Sequence, residues 1–125
     1  MKKIVYTDKA PQPIGPYSQG IEAGGLIFFS GQIAIDPEIG NITATDVEGQ
    51  TRQVLKNISA LLEEVGLTAS NVVKTTVFIK NIGDFGKVNA LYGEMFSSDS
   101  PARSCVEVSN LPAGALVEIE IVAAR

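Results

Sequence analysis

The strand pattern that organises this chain reads Pro101-Ala102-Arg103-Ser104-Cys105-Val106-Glu107-Val108. Residues two apart on an extended strand share one face. Arg103, Cys105 and Glu107 therefore lie on one side of the strand, and we expect the valines on the other side to face the core. A guanidinium, a thiol and a carboxylate on one ridge are unusual for a plain strand, so this ridge is a candidate site.

A second strand pattern follows, Leu116-Val117-Glu118-Ile119-Glu120-Ile121-Val122. Its alternate apolar residues predict a core face, with Glu118 and Glu120 on the opposite face. The intervening residues 109–115 are rich in turn-forming residues and long enough for a hairpin. The two strands are therefore expected to pair, which would let Arg103 and Glu118 meet on one face. Spacing alone does not choose between the two glutamates.

The composition indicates one globular domain that spans residues 1–125. The chain is 45% hydrophobic and carries a net charge of −4, and it has no basic run that would favour nucleic acid. One cysteine excludes an internal disulfide and fits a reducing compartment. Because no apolar run follows Lys2 and Lys3, we expect neither a signal peptide nor a membrane span, and hence a cytoplasmic protein.

The residue types that are missing restrict the chemistry. The sequence contains no histidine, which removes histidine-based triads and histidine metal sites. One cysteine cannot form a zinc site, and neither a Walker loop nor a Gly-x-Gly-x-x-Gly motif is present. We therefore expect a protein that works without a metal or a cofactor.

The remaining patterns predict the element order β-β-β-α-β-α-β-β. Helical spacing of apolar residues, with Thr45 or Asp46 as a possible cap and Gly66 as the end, predicts the first helix. Besides the two strands described above, six elements are expected: strands at 3–6, 18–23, 26–33 and 72–80, and helices at 46–65 and 84–96. Gly24-Gly25 is the expected hairpin turn. This order indicates an α+β fold with a single mixed sheet and both helices packed on one face.

Several blocks of the sequence, taken in order, resemble one known family. The blocks are residues 10–19, Ser30-Gly31-Gln32-Ile33 with Asp36-Pro37, residues 73–78, Asp84-Phe85 with Val88-Asn89 and Tyr92, residues 101–108, Leu111-Pro112, and Val117-Glu118-Ile119-Glu120. Together they span nearly the whole chain. The sequence resembles the RidA family (reactive intermediate deaminase A, also called YjgF).

The resemblance implies a fold, an assembly and an activity. Family members are homotrimers with a chorismate-mutase-like fold, and their sites lie in clefts between subunits. They hydrolyse reactive enamine and imine acids, such as 2-aminoacrylate (2-iminopropanoate) and 2-iminobutanoate, to 2-keto acids and ammonia. This is a form of metabolite damage control, and it uses no metal and no bound cofactor.

The resemblance also implies roles for the charged candidates. Arg103 would hold the substrate carboxylate, because a planar fork matches a carboxylate in a bidentate way that lysine does not reproduce. The alternative is an ion pair with a nearby glutamate. Glu118, rather than Glu120, would orient the attacking water and relay protons to the leaving nitrogen. Its alternative is a solvated residue on an edge strand.

The other candidates are uncharged. Without histidine, Cys105 is a poor nucleophile, and the family suggests that its carbonyl holds the water while its side chain lines the pocket. Tyr17, carried by a proline-rich loop, would close the site, or is an interface or core tyrosine. Ser30 and Gly31 would contact substrate, or are a plain strand end. Asn89 would help to bind substrate, or bonds to a loop.

Three other functions compete with the deaminase. A non-catalytic regulatory trimer could use the same Arg103 pocket for small carboxylates. An endoribonuclease, a name that some relatives carry, is disfavoured by the acidic composition and the lack of histidine. A holdase chaperone would need exposed apolar patches, which the regular alternation does not indicate.

Overall fold

A six-stranded mixed sheet carries both helices on one of its faces in the computed structural model, which describes residues 1–125. The strands are β1 (Lys3–Val5), β2 (Gly20–Ala23), β3 (Leu26–Gln32), β4 (Ile35–Asp36), β5 (Asn41–Ile42), β6 (Val72–Ile79), β7 (Ala102–Glu107) and β8 (Val117–Ala124), and the helices are α1 (Val47–Glu64) and α2 (Phe85–Met95). The predicted α+β fold is confirmed. An additional two-residue ladder pairs β4 with β5 on either side of a turn at residues 37–40.

The caps and turns form where local sequence favours them. The Asp46 side chain accepts a hydrogen bond from the Gly49 amide at 3.2 Å and caps α1. Gly66 follows the helix with φ +74°, the left-handed conformation that glycine adopts without a steric penalty. Gly24 and Gly25, both with positive φ, form the predicted hairpin turn between β2 and β3. Neither helix has the length and apolar composition needed to cross a membrane.

The sheet order is β1-β2-β3-β8-β6-β7, so the predicted hairpin between β7 and β8 is wrong. β6 lies between these strands, antiparallel to β8 and parallel to β7. Because β3 and β6 occupy both edges of β8, β7 adds to the free edge of β6. The α2 crossover between β6 and β7 makes a parallel pairing possible.

The register of β6 shows which way each candidate faces. Arg103 on β7 lies opposite Thr75 of β6, whereas Glu118 on β8 lies opposite Phe78. Thr75 and Phe78 are three residues apart on one strand and therefore point to opposite faces. Arg103 faces the helix layer and Glu118 faces the open side of the sheet. The expectation that they share a face is wrong within a single chain.

The core lies between the sheet and the two helices. Fully buried side chains come from alternate positions on the central strands and from one stripe of α1, namely Ile27, Val77, Ile79, Val117, Ile119, Val54, Ile58 and Leu61. The expectation that Val106 faces this core is wrong, because its side chain is 44% exposed. On edge strand β7 the helix side is occupied by Arg103, Cys105 and Glu107, which leaves Val106 on the open face.

Candidate active site

One cluster of candidate residues lies where β7 meets α2, and we call it the arginine half-site: Arg103, Cys105, Phe85, Asn89 and Tyr92. Arg103 Nη1 donates a hydrogen bond to Asn89 Oδ1 at 2.7 Å. Its guanidinium carbon lies 5.3 Å from the centre of the Phe85 ring and 4.7 Å from that of Tyr92. Both distances are within the range of cation–π attraction.

The guanidinium of Arg103 forms no ion pair within the chain. The only salt bridge in the chain joins Arg125 to Glu22, and Glu107 instead accepts a hydrogen bond from the Ile82 amide at 2.8 Å. Asn89 takes one of the five N–H donors of Arg103. The side chain is exposed, so the other donors are available to an anion such as a carboxylate.

Cys105 stands on the same ridge as Arg103. Its thiol is partly buried, and this burial raises its pKa, although the positive charge of Arg103 acts in the opposite direction. A thiol with a raised pKa is a poor nucleophile at neutral pH. The chemical environment therefore disfavours covalent catalysis at Cys105.

A second cluster lies at the ends of β3 and β8, and we call it the glutamate half-site: Tyr17, Gly31, Pro112 and Glu118. These residues line a cavity of about 110 Å³ together with the buried amides of Gln19 and Gln32. Glu120 does not line this cavity and is exposed. The geometry therefore distinguishes two glutamates that spacing left equivalent.

Gly31 leaves room for the Glu118 side chain. The pairing of β3 with β8 is irregular between Phe29 and Gln32, a bulge that brings the backbone of Gly31 against the carboxylate. A Cβ on Gly31 would lie 2.8 Å from Glu118 Cδ, which is closer than real side chains approach. Glycine at this bulge therefore determines where the carboxylate can lie.

The surroundings of Glu118 favour the protonated form of its carboxyl group. Partial burial raises the pKa of this carboxyl group, and the negative charge of Glu120 raises it further. Desolvation and a neighbouring like charge both disfavour the ionised form. A carboxyl group with a raised pKa in a cavity is suited to accept a proton and return it.

The loop that carries Tyr17 is held by a buried glutamine. Gln19 is 2% exposed, accepts from the Thr7 amide at 2.7 Å, and donates to the carbonyls of Thr7 and Pro11 at 2.9 Å each. Tyr17 is 52% exposed, and its hydroxyl accepts a long bond from the Ile14 amide at 3.3 Å. Gln19 is not among the site residues predicted from the sequence, although a glutamine directly after a proline-rich loop is a usable signal.

The two remaining candidates lie in different places. The Ser30 hydroxyl donates to the carbonyl of Ser18 at 2.6 Å and so helps to hold the loop. Asn89 belongs to the arginine half-site, on the other face of the sheet from Glu118. No group of three histidine, cysteine, aspartate or glutamate side chains is placed to hold a metal ion.

Comparison with known proteins places this arrangement in a class of small α+β proteins. The family described as Endoribonuclease L-PSP matches residues 7–125. A Yersinia pestis structure, described as a protein of unknown function of the conserved Rid family, superposes with a TM-score of 0.97, at 51% identity and over 100% of both chains. The chain belongs to the RidA/YjgF family, which confirms the resemblance seen in the sequence.

Two further relatives carry chemical information in their names. The Escherichia coli 2-iminobutanoate/2-iminopropanoate deaminase is 47% identical, and the match covers 100% of this chain and 99% of that protein. Another Escherichia coli protein, whose structure is described with bound serine, superposes with a TM-score of 0.93 at 42% identity and 98% coverage of both chains.

Proposed function

We propose that this protein hydrolyses the C=N bond of short 2-imino acids, 2-iminopropanoate and 2-iminobutanoate, to the 2-keto acid and ammonia. The observation that carries the proposal is Arg103, whose guanidinium lies over the Phe85 and Tyr92 rings, has free donors and has no carboxylate partner. The deaminase at 47% identity supports the same reaction. We propose that the enzyme acts in the cytoplasm, a reducing compartment that suits its one free cysteine.

Arg103 binds the substrate carboxylate in this proposal. Two parallel N–H···O bonds from a guanidinium fix both the position and the plane of a carboxylate. Since the imine carbon is bonded directly to that carboxylate, a fixed carboxylate also fixes the position of the imine carbon. The enamine 2-aminoacrylate enters the reaction as its tautomer 2-iminopropanoate, which forms when the terminal carbon gains a proton and the nitrogen loses one.

Glu118 accepts and donates the protons that move during the hydrolysis. The water oxygen bonds to the imine carbon while Glu118 accepts one water proton, and Glu118 then gives that proton to the nitrogen, so that the C=N double bond becomes a single bond. The resulting carbinolamine gives its hydroxyl proton to Glu118, which passes it to the nitrogen, and the C–N bond breaks to release ammonia and leave the keto group. An imine carbon is already electrophilic, so a positioned water and a nearby carboxylate supply the catalysis.

One complete site requires two copies of the chain. The arginine half-site faces the helix layer and the glutamate half-site faces the open side of the sheet, so the two act together when they come from neighbouring subunits. The open face carries Phe28 and Val106, which are 48% and 44% exposed. Contact between copies would bury this apolar surface, in line with the homotrimer that the resemblance implies.

The test is suppression of a trapped imine. A serine or threonine dehydratase generates the imine, and semicarbazide traps what is not hydrolysed. We expect wild type to suppress semicarbazone formation and Arg103→Lys to lose at least about 100-fold in rate, because lysine keeps the charge but not the fork. Arg52→Lys, an exposed change on α1, is the matched control and should behave as wild type. Equal activity of Arg103→Lys and wild type would contradict the site.

A regulatory carboxylate-binding trimer is the second candidate, because the relative with bound serine is described as a complex rather than by a reaction. Glu118→Gln separates the two functions. A deaminase loses turnover in this variant while it retains 2-oxobutanoate binding. A regulator binds the keto acid equally well in both forms, and neither form consumes the imine.

A further inference from the structure

We propose that Tyr92 is a positioning residue: its ring sets the direction of the Arg103 guanidinium before substrate arrives. The proposal rests on the proposed function, since it assigns Arg103 the substrate carboxylate. Tyr92 is buried, and Arg103 Cζ lies 4.7 Å from the centre of its ring. Tyr92 belongs to one of the blocks that carry the family resemblance, but the resemblance implies no role for it.

The guanidinium lies in a gap that α2 provides. Phe85, Asn89 and Tyr92 are spaced i, i+4 and i+7, which places them in one stripe along the helix. Seven residues span about 10.5 Å of helix axis. Since both ring centres lie about 5 Å from the guanidinium carbon, Arg103 contacts both rings as well as Asn89, which lies between them in the stripe.

The Tyr92 ring is itself fixed by its neighbours. Its hydroxyl shares a hydrogen bond of 2.7 Å with the Thr75 hydroxyl, and Thr75 is fully buried. The Phe96 ring packs at 4.6 Å between centroids. Thr75 is also the residue of β6 that lies directly opposite Arg103. These contacts connect β6 through Tyr92 to Arg103 on β7.

These contacts restrict the conformations of the exposed Arg103 side chain. A long side chain on an edge strand otherwise samples many rotamers, and ordering it on binding lowers affinity. The two rings hold the guanidinium plane and Asn89 occupies one nitrogen, so the remaining donors point in a set direction. Tyr92 therefore affects substrate binding without touching substrate.

The experiment compares Tyr92→Leu, Tyr92→Phe and Val88→Ala. Tyr92→Leu removes the ring, Tyr92→Phe keeps it, and Val88→Ala opens a matched defect in the buried face of the same helix. We expect Tyr92→Leu to raise KM and the 2-oxobutanoate Kd about tenfold, with kcat within about twofold of wild type. Tyr92→Phe and Val88→Ala should stay within about threefold of wild type in both constants.

A second readout needs no substrate. The Arg103 Nε–H resonance of the free protein should show a lower order parameter in Tyr92→Leu, but not in Val88→Ala. If Tyr92→Leu fails to fold, Phe85→Leu removes the other ring and should raise Kd about fivefold, beyond the range allowed for the controls. Unchanged Kd and unchanged Arg103 order in a folded ring variant would overturn the proposal.

The two readouts separate this proposal from the proposed function. If wild type neither consumes imines nor binds the keto acid, the proposed function fails and the order parameter alone decides the role of Tyr92. If wild type is active and Tyr92→Leu matches it in KM and in order, only the positioning role fails.

Discussion

Glu118 is the residue whose chemistry depends most on its surroundings. Its cavity removes water from one side of the carboxylate, and Glu120, two positions along the same strand, adds a like charge. Both effects stabilise the protonated form. In the proposed reaction Glu118 must be ionised to accept the water proton, so the activity should fall as the pH drops through its raised pKa.

Removing the like charge should therefore move the acidic limb of the pH profile. In Glu120→Gln the pKa of Glu118 falls, because one of the two effects that raise it is gone. We expect the acidic limb of kcat/KM to shift to lower pH, because an exposed neighbouring charge no longer opposes the ionisation of Glu118. Glu48→Gln, an exposed change on α1, is the control. A limb that stays in place, or moves to higher pH, would contradict Glu118 as the titrating base.

At the scale of the element, the bulge in β3 determines the shape of the glutamate half-site. A regular strand would place a side chain where Gly31 leaves space for Glu118. The obstacle to a Cβ is the end of a flexible side chain and not the backbone, so the carboxylate can move away at low cost in stability. Activity and stability should therefore respond differently to a change here.

Gly31→Ala tests this separation. The added methyl group displaces the Glu118 carboxylate, and a shift of this size costs about 100-fold in kcat when positioning supplies the catalysis. We expect the melting temperature to change by no more than a few degrees. Gly93→Ala, on α2 with open space around it, is the control and should be fully active and slightly more stable. Full activity of Gly31→Ala would remove the close approach from the mechanism.

At the scale of the whole molecule, one sheet separates the two half-sites. Arg103 and Glu118 lie on opposite faces because β6, which runs between their strands, offers them positions of opposite orientation. No side-chain movement can bring them together through a packed sheet. The proposed reaction is therefore a property of the assembly and not of one chain.

Mixing two inactive variants should restore activity. In a cyclic trimer of Arg103→Ala and Glu118→Gln chains, every hybrid contains one interface whose two half-sites are both intact. Random exchange of equal amounts should return about a quarter of wild-type activity. Each variant alone, unfolded and refolded in the same way, should stay inactive. A mixture that exchanges subunits but remains inactive would contradict sites shared between copies.

Local sequence determined the parts of this protein that depend on near neighbours. Alternation placed Arg103, Cys105 and Glu107 on one ridge, apolar spacing located α1 and α2 to within a residue, and the glycine pair at 24–25 located a hairpin turn. These features rest on the fixed periods of strands and helices and on backbone preferences. The family was recognised from several short motifs that occur in one order and at one set of spacings along nearly the whole chain.

Only the tertiary structure decided which strands pair and what each face meets. The hairpin prediction failed because β6, from earlier in the chain, takes the place beside both strands, and nothing in residues 101–122 records that distant partner. The same long-range packing set Arg103 beside Phe85 and Tyr92, placed Glu118 but not Glu120 in the cavity, and put the candidate residues on two faces of the sheet. Strand order is a property of contacts far apart in sequence, so a local pattern does not contain it.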